Sequence, residues 1–238
     1  MTKEENPTLN RPTFKDYLQW DIFIWGKALN YWAQILKEKK ITQGLALEIG
    51  SKDGGLSLYL ANEFDFKVIC SDIDGPTKKA KELHKKYSAD SNIEYRKVDA
   101  LNLQFENNIF DVVIFKSVLG SIGKNNNFEL QQRAISELYR VLKPKGILLF
   151  AENAKASFLH TYFRKKFRKW ASYWRYVTFN EMIDMLSAFS FREVHSSGFL
   201  SAFFSNHTIK RFFFPLDNTL ENLISRKFRY VIYGYAIK

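Results

Sequence analysis

The sequence predicts an α/β fold, in which helices cover both faces of a mostly parallel sheet and further helices precede it. Two observations support this prediction. From Leu45 onward, short apolar runs alternate with segments of helical periodicity, a pattern typical of βαβ units. The 238-residue chain is also 46% hydrophobic and carries no linker-like stretch, so we expect one domain with a sizeable core and some appendages.

Residues 1–43 form a predicted helical N-terminal extension. Apolar and aromatic residues recur there at roughly helical spacing between Phe14 and Leu36, which indicates one or two amphipathic helices. We expect this extension to act as a lid over a cleft, with Tyr17, Trp20 and Trp25 facing it. A homodimer interface is the alternative role for these aromatic residues.

Residues 44–238 contain the predicted strands and the helices that connect them. Apolar runs predict strands at 45–50, 66–71, 93–98, 110–115, 146–151, 191–197 and 229–237. Helices are predicted at 55–63, at 76–87 with Pro76 in the first turn, at 126–142, and from a Thr178–Glu181 capping box to about Ala188.

Two aromatic insertions interrupt this pattern, at about 155–176 and about 198–226. The first is also basic, since no acidic residue lies between Glu152 and Glu181. On one helix, Phe163, Phe167, Trp170 and Trp174 would share a face. Three roles are open for such a helix. It packs its aromatic face over the site, it lies on an anionic membrane with residues 160–176, or it contacts RNA; of the last two, the sequence favours the membrane.

Composition narrows the setting of the protein. The net charge of +11 favours polyanionic surroundings. The single cysteine, Cys70, has no partner for a disulfide, and the polar N-terminus lacks an apolar signal segment. We therefore expect a soluble cytoplasmic protein, with peripheral contact to the inner face of the membrane as a further expectation.

A ligand-binding turn is predicted where the first strand ends. Leu47–Gly55 (LEIGSKDGG) follows an apolar strand and opens a helix, so its backbone N–H groups and glycines can approach a ligand closely. Asp72 ends the second strand, where an acid accepts hydrogen bonds from ribose hydroxyls in nucleotide-binding folds. Asp74 is the rival for ribose; we assign Asp72 to the ribose and Asp74 to the cap of the next helix.

The order of motifs resembles that of class I S-adenosylmethionine-dependent methyltransferases. LEIGSKDGG, VICSDID, KVDALNL, FDVVIFKSVL and YRVLKPKGILLFAEN correspond to the family's first six motifs and cover roughly residues 44–153. The resemblance implies a Rossmann-like, doubly wound, seven-stranded sheet whose last strand, near 228–238, is antiparallel. It implies S-adenosylmethionine as cofactor, S-adenosylhomocysteine as product, and a bacterial-type enzyme.

The resemblance also implies cofactor contacts. Glu48 would orient groups near the methionine end, Asp72 would bind ribose, and Asp99 would accept from the adenine amino group. The full expected set is Glu48, Gly50, Ser51, Gly54, Asp72, Ile73, Asp99, Ala100, Leu101 and Lys116, with no metal ligand. Lys52 stands where many members have a second glycine, which leaves the backbone path there open. The absence of a G-x-G-x-x-G sequence counts against NAD or FAD.

Acceptor residues are expected beyond the carboxyl ends of the fourth and fifth strands. His160 and Glu152 are the candidate catalytic residues, His160 as a base near neutrality and Glu152 as an acceptor-orienting group. Ser117, Asn153, Tyr17 and Trp20 are the candidate substrate-binding residues. The expected reaction methylates an oxygen or nitrogen of a small molecule or glycan, with lipid-linked and phosphorylated acceptors included. The alternatives are an RNA methyltransferase and a non-catalytic membrane-surface or partner-binding protein.

Overall fold

The fold is a mixed sheet with helices on both faces. The computed structural model describes residues 11–167 and 173–238. Its strands are β1 (Gln43–Ile49), β2 (Asp65–Asp72), β3 (Ile93–Lys97), β4 (Phe110–Lys116), β5 (Leu142–Asn153), β6 (Phe191–Ser197) and β7 (Val231–Ile237). Its α-helices are α1 (Phe14–Leu18), α2 (Gly26–Glu38), α3 (Gly55–Glu63), α4 (Lys78–Lys86), α5 (Leu119–Ile122), α6 (Phe128–Val141), α7 (Phe158–Phe167), α8 (Phe179–Met185) and α9 (His207–Leu220).

Within the described residues the sheet has seven strands in the order β3-β2-β1-β4-β5-β7-β6. β7 runs antiparallel to both of its neighbours, while β1 to β5 pair in parallel. The predicted doubly wound sheet with a reversed last strand is therefore confirmed. The chain extends outward from β1 through β2 and β3, and then returns to the other side of β1 through β4. This reversal opens a crevice at the carboxyl ends of β1 and β4.

Side-chain alternation along the strands supplies two hydrophobic cores, one on each face of the sheet. Ala46 of β1 joins the core under α1, α2 and α3, whereas Leu47 joins the core under α6 and α8. Trp32 of α2 is completely buried, and its Nε1–H donates to the carbonyl oxygen of Gly234 in β7 at 3.0 Å. The N-terminal helices therefore share the core of the sheet.

Three predicted boundaries were wrong. The helix expected from Pro76 begins at Lys78, because Thr77 is its N-cap and accepts from the N–H of Ala80 at 3.3 Å; Asp74 does not cap it. The helix that follows the Thr178 capping box spans Phe179–Met185 and stops short of Ala188. The fifth strand begins at Leu142, which pairs with Phe110 before an irregularity in the register.

Both insertions contain helices, of which the sequence predicted only the first. α7 lies in the basic aromatic insertion, but Trp174 is outside any helix, so it does not share a helical face with Phe163 and Phe167. Trp170 lies outside the described residues. α9 lies in the second insertion, where its buried Asp217 accepts from the backbone N–H groups of residues 199–201 and so ties the preceding loop to the helix.

Candidate functional site

A cavity of about 1250 Å³ lies at the carboxyl ends of the strands. Its walls include the loops that follow β1, β2, β4 and β5 and the segment after β3. The turn between α1 and α2 and the start of α9 also contribute to them. The cavity thus occupies the place where ligands bind in doubly wound sheets. Of the residues predicted from the sequence, it is lined by Tyr17, Trp20, Glu48, Gly50, Ser51, Asp72, Ile73, Asp99, Ala100, Leu101, Lys116, Ser117 and Asn153.

The loop after β1 is held in shape by its own backbone and by Asp72. The N–H of Ser51 donates to the carbonyl of Ser71 at 2.9 Å, and the N–H of Lys52 donates to the Asp72 carboxylate at 2.9 Å. Lys52 adopts a left-handed conformation with φ +48°. The backbone at Lys52 therefore follows the left-handed path that a glycine would adopt more readily, although the residue is a lysine.

Gly54 shapes the loop from outside the cavity wall. Its φ of +73° is left-handed, and a Cβ atom there would lie 2.6 Å from the imidazole of His84. That buried imidazole in turn bonds the carbonyl oxygen of Gly54 through Nε2 at 2.8 Å and the Tyr95 hydroxyl through Nδ1 at 2.9 Å. His84 is a supporting residue that local sequence patterns gave no reason to select.

Acidic side chains lie at the ends of the strands that carry the predicted cofactor residues. The Asp72 carboxylate also accepts weakly from the N–H of Asp74, at 3.4 Å, and Asp99 accepts from the N–H of Leu101 at 2.9 Å. The side chain of Ile73, which follows Asp72 and lines the same cavity, is 57% exposed. The arrangement offers carboxylate acceptors beside an apolar surface, which suits a nucleoside with free hydroxyls and an aromatic base.

Buried Glu48 and half-buried Lys116 bring two titratable groups to the cavity. The N–H and hydroxyl of Ser57 both donate to Glu48, at 2.8 and 2.5 Å. Burial raises the pKa of Glu48 to about 7, although the Ser57 hydrogen bonds and the charge of Lys116 oppose that shift. Burial also lowers the pKa of Lys116 well below its usual range, against the attraction of Glu48.

Lys116 is covered by the N-terminal segment. Its ammonium donates to the carbonyl of Leu18 at 3.0 Å and lies 2.9 Å from the centre of the Trp20 ring. Trp20 is 44% exposed, whereas Trp25 is buried and meets it edge to face. The turn between α1 and α2 thus forms one wall of the cavity, over the ends of β1 and β4.

The two predicted catalytic residues do not line the cavity within the described part of the chain. Glu152 is completely buried, and its carboxylate accepts from the backbone N–H groups of Val118, Leu119 and Asn153 at 2.7 to 2.9 Å. Burial raises its pKa to about 7, against these hydrogen bonds. Glu152 therefore fixes the loop after β4, which carries Ser117, and acts on the cavity through that loop.

His160 occupies a pocket between α7 and the loop after β6. It is 2% exposed; Nδ1 bonds the hydroxyl of Ser157 at 2.7 Å and Nε2 bonds the carbonyl of Phe199 at 2.9 Å. Its ring stacks on Phe203 with centres 4.2 Å apart. Burial lowers the pKa of His160 to about 4, so the imidazole is a weaker base than an ordinary histidine. These contacts suit a structural role, because both ring nitrogens are already engaged.

Part of the cavity wall comes from the two insertions, of which the sequence placed only the first near the site, as one of three alternatives. The amide of Asn153 donates to the hydroxyl of Ser117 at 2.6 Å, which joins the two predicted acceptor residues. Around them the wall is completed by Arg164, Trp174, Tyr176, Phe204, His207, Lys210 and Tyr230. Their positions depend on contacts between insertions far apart in the chain, and the only local signal was the basic aromatic composition near Arg164. Among the described residues no group of three or more His, Cys, Asp or Glu side chains is arranged to hold a metal ion.

Comparison with known proteins shows what the segment around this site is similar to. A family model described as "Methyltransferase domain" matches residues 47–150, the segment that contains the end of β1, all of β2 to β4, most of β5 and the acidic strand ends. An uncharacterized protein of Haemophilus influenzae is 31% identical over 104 residues, which are 43% of this chain and 40% of that protein.

Solved structures share the fold over nearly the whole chain. Phosphoethanolamine N-methyltransferase 2 of Haemonchus contortus, with phosphomonomethylethanolamine and S-adenosylhomocysteine bound, is 20% identical; the match covers 90% of this chain and 52% of that one, with a TM-score of 0.61. An S-adenosylmethionine-dependent methyltransferase of Thermotoga maritima is 17% identical; the match covers 94% of this chain and 92% of that one, with a TM-score of 0.56. The [4+2]-cyclase SpnF is 18% identical; the match covers 90% of this chain and 82% of that one, with a TM-score of 0.58.

At these identities the solved structures establish the fold, and the chain spans about half the length of the first of them. The likeness to a methyltransferase domain rests on the matched segment, which is less than half of the chain and contributes to the loop, the strand ends and the cavity described above. Residues 47–150 are thus similar to a methyltransferase domain, and the chain shares its fold with the solved structures.

Proposed function

We propose that the protein transfers a methyl group from S-adenosylmethionine to an oxygen or nitrogen atom of a small molecule or glycan and releases S-adenosylhomocysteine. One observation carries the proposal: the loop from Glu48 to Gly54 and the carboxylate of Asp72 meet at the switch point of the sheet, inside the segment that matches the methyltransferase domain. N-methyltransferases among the structural neighbours agree with a nitrogen acceptor.

The residues present fit the cofactor. Asp72 keeps lone pairs available for two ribose hydroxyls beside the one that it shares with the Lys52 N–H. Asp99 and the backbone of residues 100–101 would receive the adenine edge, with the exposed side chain of Ile73 against its face. Glu48, Gly50, Ser51 and Lys116 line the same cavity, and we assign them to the methionine end of the cofactor.

The bound cofactor supplies a methyl group made electrophilic by its sulfonium sulfur. Displacement at that carbon requires alignment of the acceptor and exclusion of water, and it needs a base only when the attacking atom still holds its proton. Ser117, bonded to Asn153, presents polar atoms beside the cavity, and the loop that carries it is fixed by Glu152. Tyr17 and Trp20 cover the opposite wall and reduce the access of water.

The acceptor is proposed to be associated with anionic lipid. α7 exposes an apolar face that consists of Phe158, Leu159, Tyr162, Phe163 and Phe167, and Lys155, Lys165 and Lys166 are exposed beside it. An exposed aromatic face flanked by cations is the arrangement that binds the interface of an anionic membrane. Because Arg164 of the same helix lines the cavity, this face would bring a lipid-linked acceptor near the reaction site.

Ligand binding tests the cofactor assignment. Asp72→Asn should weaken S-adenosylhomocysteine binding about 10- to 100-fold in calorimetry, since hydrogen bonds to a charged group contribute about 1.5 to 3 kcal/mol. The asparagine oxygen can still accept from the Lys52 N–H, so the loop should persist. Asp74→Asn, the matched change at the rival acid, should leave the affinity within about twofold.

Three outcomes would contradict the proposal. Unchanged affinity in Asp72→Asn would move the ribose contact to another residue. Binding of NADH without S-adenosylhomocysteine would replace the cofactor. Because a [4+2]-cyclase shares the fold, cofactor binding must also be joined to methyl transfer. A cofactor-bound protein that releases no S-adenosylhomocysteine with any amine, alcohol or glycan acceptor would favour the non-catalytic alternative.

A further inference from the structure

Arg164 of α7 is a buried cation with most of its hydrogen-bonding capacity unused. The residue is 6% exposed, and its Nη1–H donates to the carbonyl oxygen of Ala154 at 2.6 Å. Its Nε and Nη2 atoms are buried and have no hydrogen-bond partner. Leaving such donors unpaired costs about 1 to 3 kcal/mol or more for a charged group, so their state requires an explanation.

Two tyrosine rings hold the guanidinium in place. The centres of the Tyr176 and Tyr230 rings lie 4.3 and 4.2 Å from the Arg164 Cζ atom. No ion pair joins Arg164 to an acidic side chain within residues 11–167 and 173–238. The Ala154 bond and the two rings fix the orientation of the group. Its charge attracts the buried carboxyl of Glu152, whose oxygens bond backbone N–H groups instead of the guanidinium.

The unused donors form one edge of the guanidinium. In arginine, the Nε–H and one Nη2–H point in the same direction and can bond two oxygens of one carboxylate or phosphate. Arg164, Tyr176 and Tyr230 all line the cavity, on the side of β5 and β7. The ribose-binding Asp72 ends β2, on the other side of β1 in the sheet. The free edge therefore belongs to the part of the cavity left for the acceptor.

We propose that Arg164 binds an anionic group of the methyl acceptor, a carboxylate or a phosphate, through its Nε–H and Nη2–H. This inference rests on the proposed function and narrows its substrate class to acceptors that carry an oxyanion. Tyr176 and Tyr230 act as positioning residues, because their rings hold the guanidinium in one orientation for the incoming group. A surface lysine would supply charge alone, whereas this site also selects for two oxygens at a fixed spacing.

Acceptor analogues test the inference with the full chain saturated with S-adenosylhomocysteine. Phosphoethanolamine presents a phosphate, sarcosine presents a carboxylate, and ethanolamine presents neither. In calorimetry, one of the two anionic compounds should bind at least tenfold more tightly than ethanolamine, and the tighter one identifies the anion. Arg164→Gln should abolish that preference, and Arg164→Lys should keep only part of it. Arg211→Gln makes the same change at an exposed position of α9 and should leave the preference intact.

The inference is overturned if the wild-type protein binds the anionic and neutral compounds equally or binds none of them, or if Arg164→Gln keeps the preference. Should Arg164→Gln fail to fold, the comparison of compounds on the wild-type protein still decides. S-adenosylhomocysteine affinity separates the two proposals. A wild-type protein that binds S-adenosylhomocysteine but does not discriminate the anion refutes this inference alone, whereas one that binds no S-adenosylhomocysteine refutes the proposed function.

Discussion

Individual buried carboxyl groups carry a large share of the chemistry at this site. Glu48 and Glu152 are both almost fully buried, and both accept hydrogen bonds from backbone N–H groups near the cavity. Glu48 accepts from α3, and Glu152 accepts from the β4–α5 connection. Burial disfavours the charged form of each, so the pKa of each is raised to about 7. Their protonation is therefore coupled to folding.

The Glu48 shift predicts a pH dependence of stability. The folded protein holds the Glu48 proton up to about pH 7, whereas the unfolded chain releases it near pH 4.5. Protonated Glu48 therefore contributes fully to the stability of the fold below about pH 4.5, and this contribution is lost as the pH rises to about 7. Glu48→Gln cannot ionise. Relative to wild type, the free energy of unfolding of the variant should therefore gain up to about 3 kcal/mol between pH 4.5 and pH 8.

Urea denaturation at several pH values measures this difference. Glu82→Gln, a change at an exposed position of α4, is the matched control and should follow the wild-type pH dependence. A gap between Glu48→Gln and wild type that stays constant from pH 4.5 to pH 8 would show that Glu48 titrates alike in the folded and unfolded states.

Among the elements, α2 connects the N-terminal segment to the far side of the sheet. Its buried face packs into the core that also contains residues of β1, β2 and β7, and the Trp32 indole bonds the carbonyl of Gly234. α1 and α2 also bracket the turn that covers Lys116. The stability of this element therefore determines whether the wall of the cavity forms.

Removing the Trp32 ring should destabilise the whole domain. We expect Trp32→Ala to lower the free energy of unfolding by about 3 to 5 kcal/mol, since the substitution leaves a large cavity and an unpaired carbonyl in the core. Lys37→Ala, on the exposed face of the same helix, should change it by no more than about 0.5 kcal/mol. Denaturant unfolding checks both. A small effect of Trp32→Ala would indicate that α2 is an appendage outside the cooperative core.

The molecule as a whole is strongly basic, with a net charge of +11, and it exposes apolar side chains on α7 and α9. The 3-10 turn at Ser201–Phe203 connects these helices: Phe163 of α7 meets Phe203 at 5.5 Å, and Phe204 stacks on Phe213 of α9. No helix within the described ranges is long and apolar enough to cross a bilayer. The membrane contact proposed above would be made by the exposed side chains of α7.

Vesicle binding tests this surface. The protein should co-sediment with vesicles that contain phosphatidylglycerol and bind pure phosphatidylcholine far more weakly, because both the apolar face and the lysines contribute. Changing Phe158 and Phe167 to serine should weaken binding at least tenfold. Phe191→Ser, on the edge strand β6, is the control and should bind as wild type does.

Failure to bind anionic vesicles, or equal binding by the double serine variant, would contradict the membrane proposal. The rival RNA methyltransferase makes a different prediction at the same scale. It requires tight RNA binding whose logarithm falls steeply and linearly with the logarithm of the salt concentration, as expected when several cations release counterions from phosphates. Such binding, together with methylation of RNA, would replace the small-molecule or glycan acceptor.

The sequence by itself determined the framework of the sheet and the strand ends that we assign to the cofactor. Strand periodicity and the order of Glu48, Gly50, Asp72 and Asp99 are local properties of the chain, and the topology of parallel strands carries them to one edge. Predictions based on such patterns agree with the structure even where Lys52 departs from the usual glycine, because a single residue can adopt the left-handed conformation that the turn requires.

Only the tertiary structure decided the acceptor side. Trp32 and Gly234 are 202 residues apart, and the cover over Lys116 comes from Leu18 and Trp20, which precede the matched segment. His160 and Glu152 illustrate the limit of sequence reasoning, because their types and positions suit catalysis while their hydrogen bonds turn them toward the protein interior. Burial and pairing of a polar group depend on side chains that distant segments supply, and no local pattern contains that information.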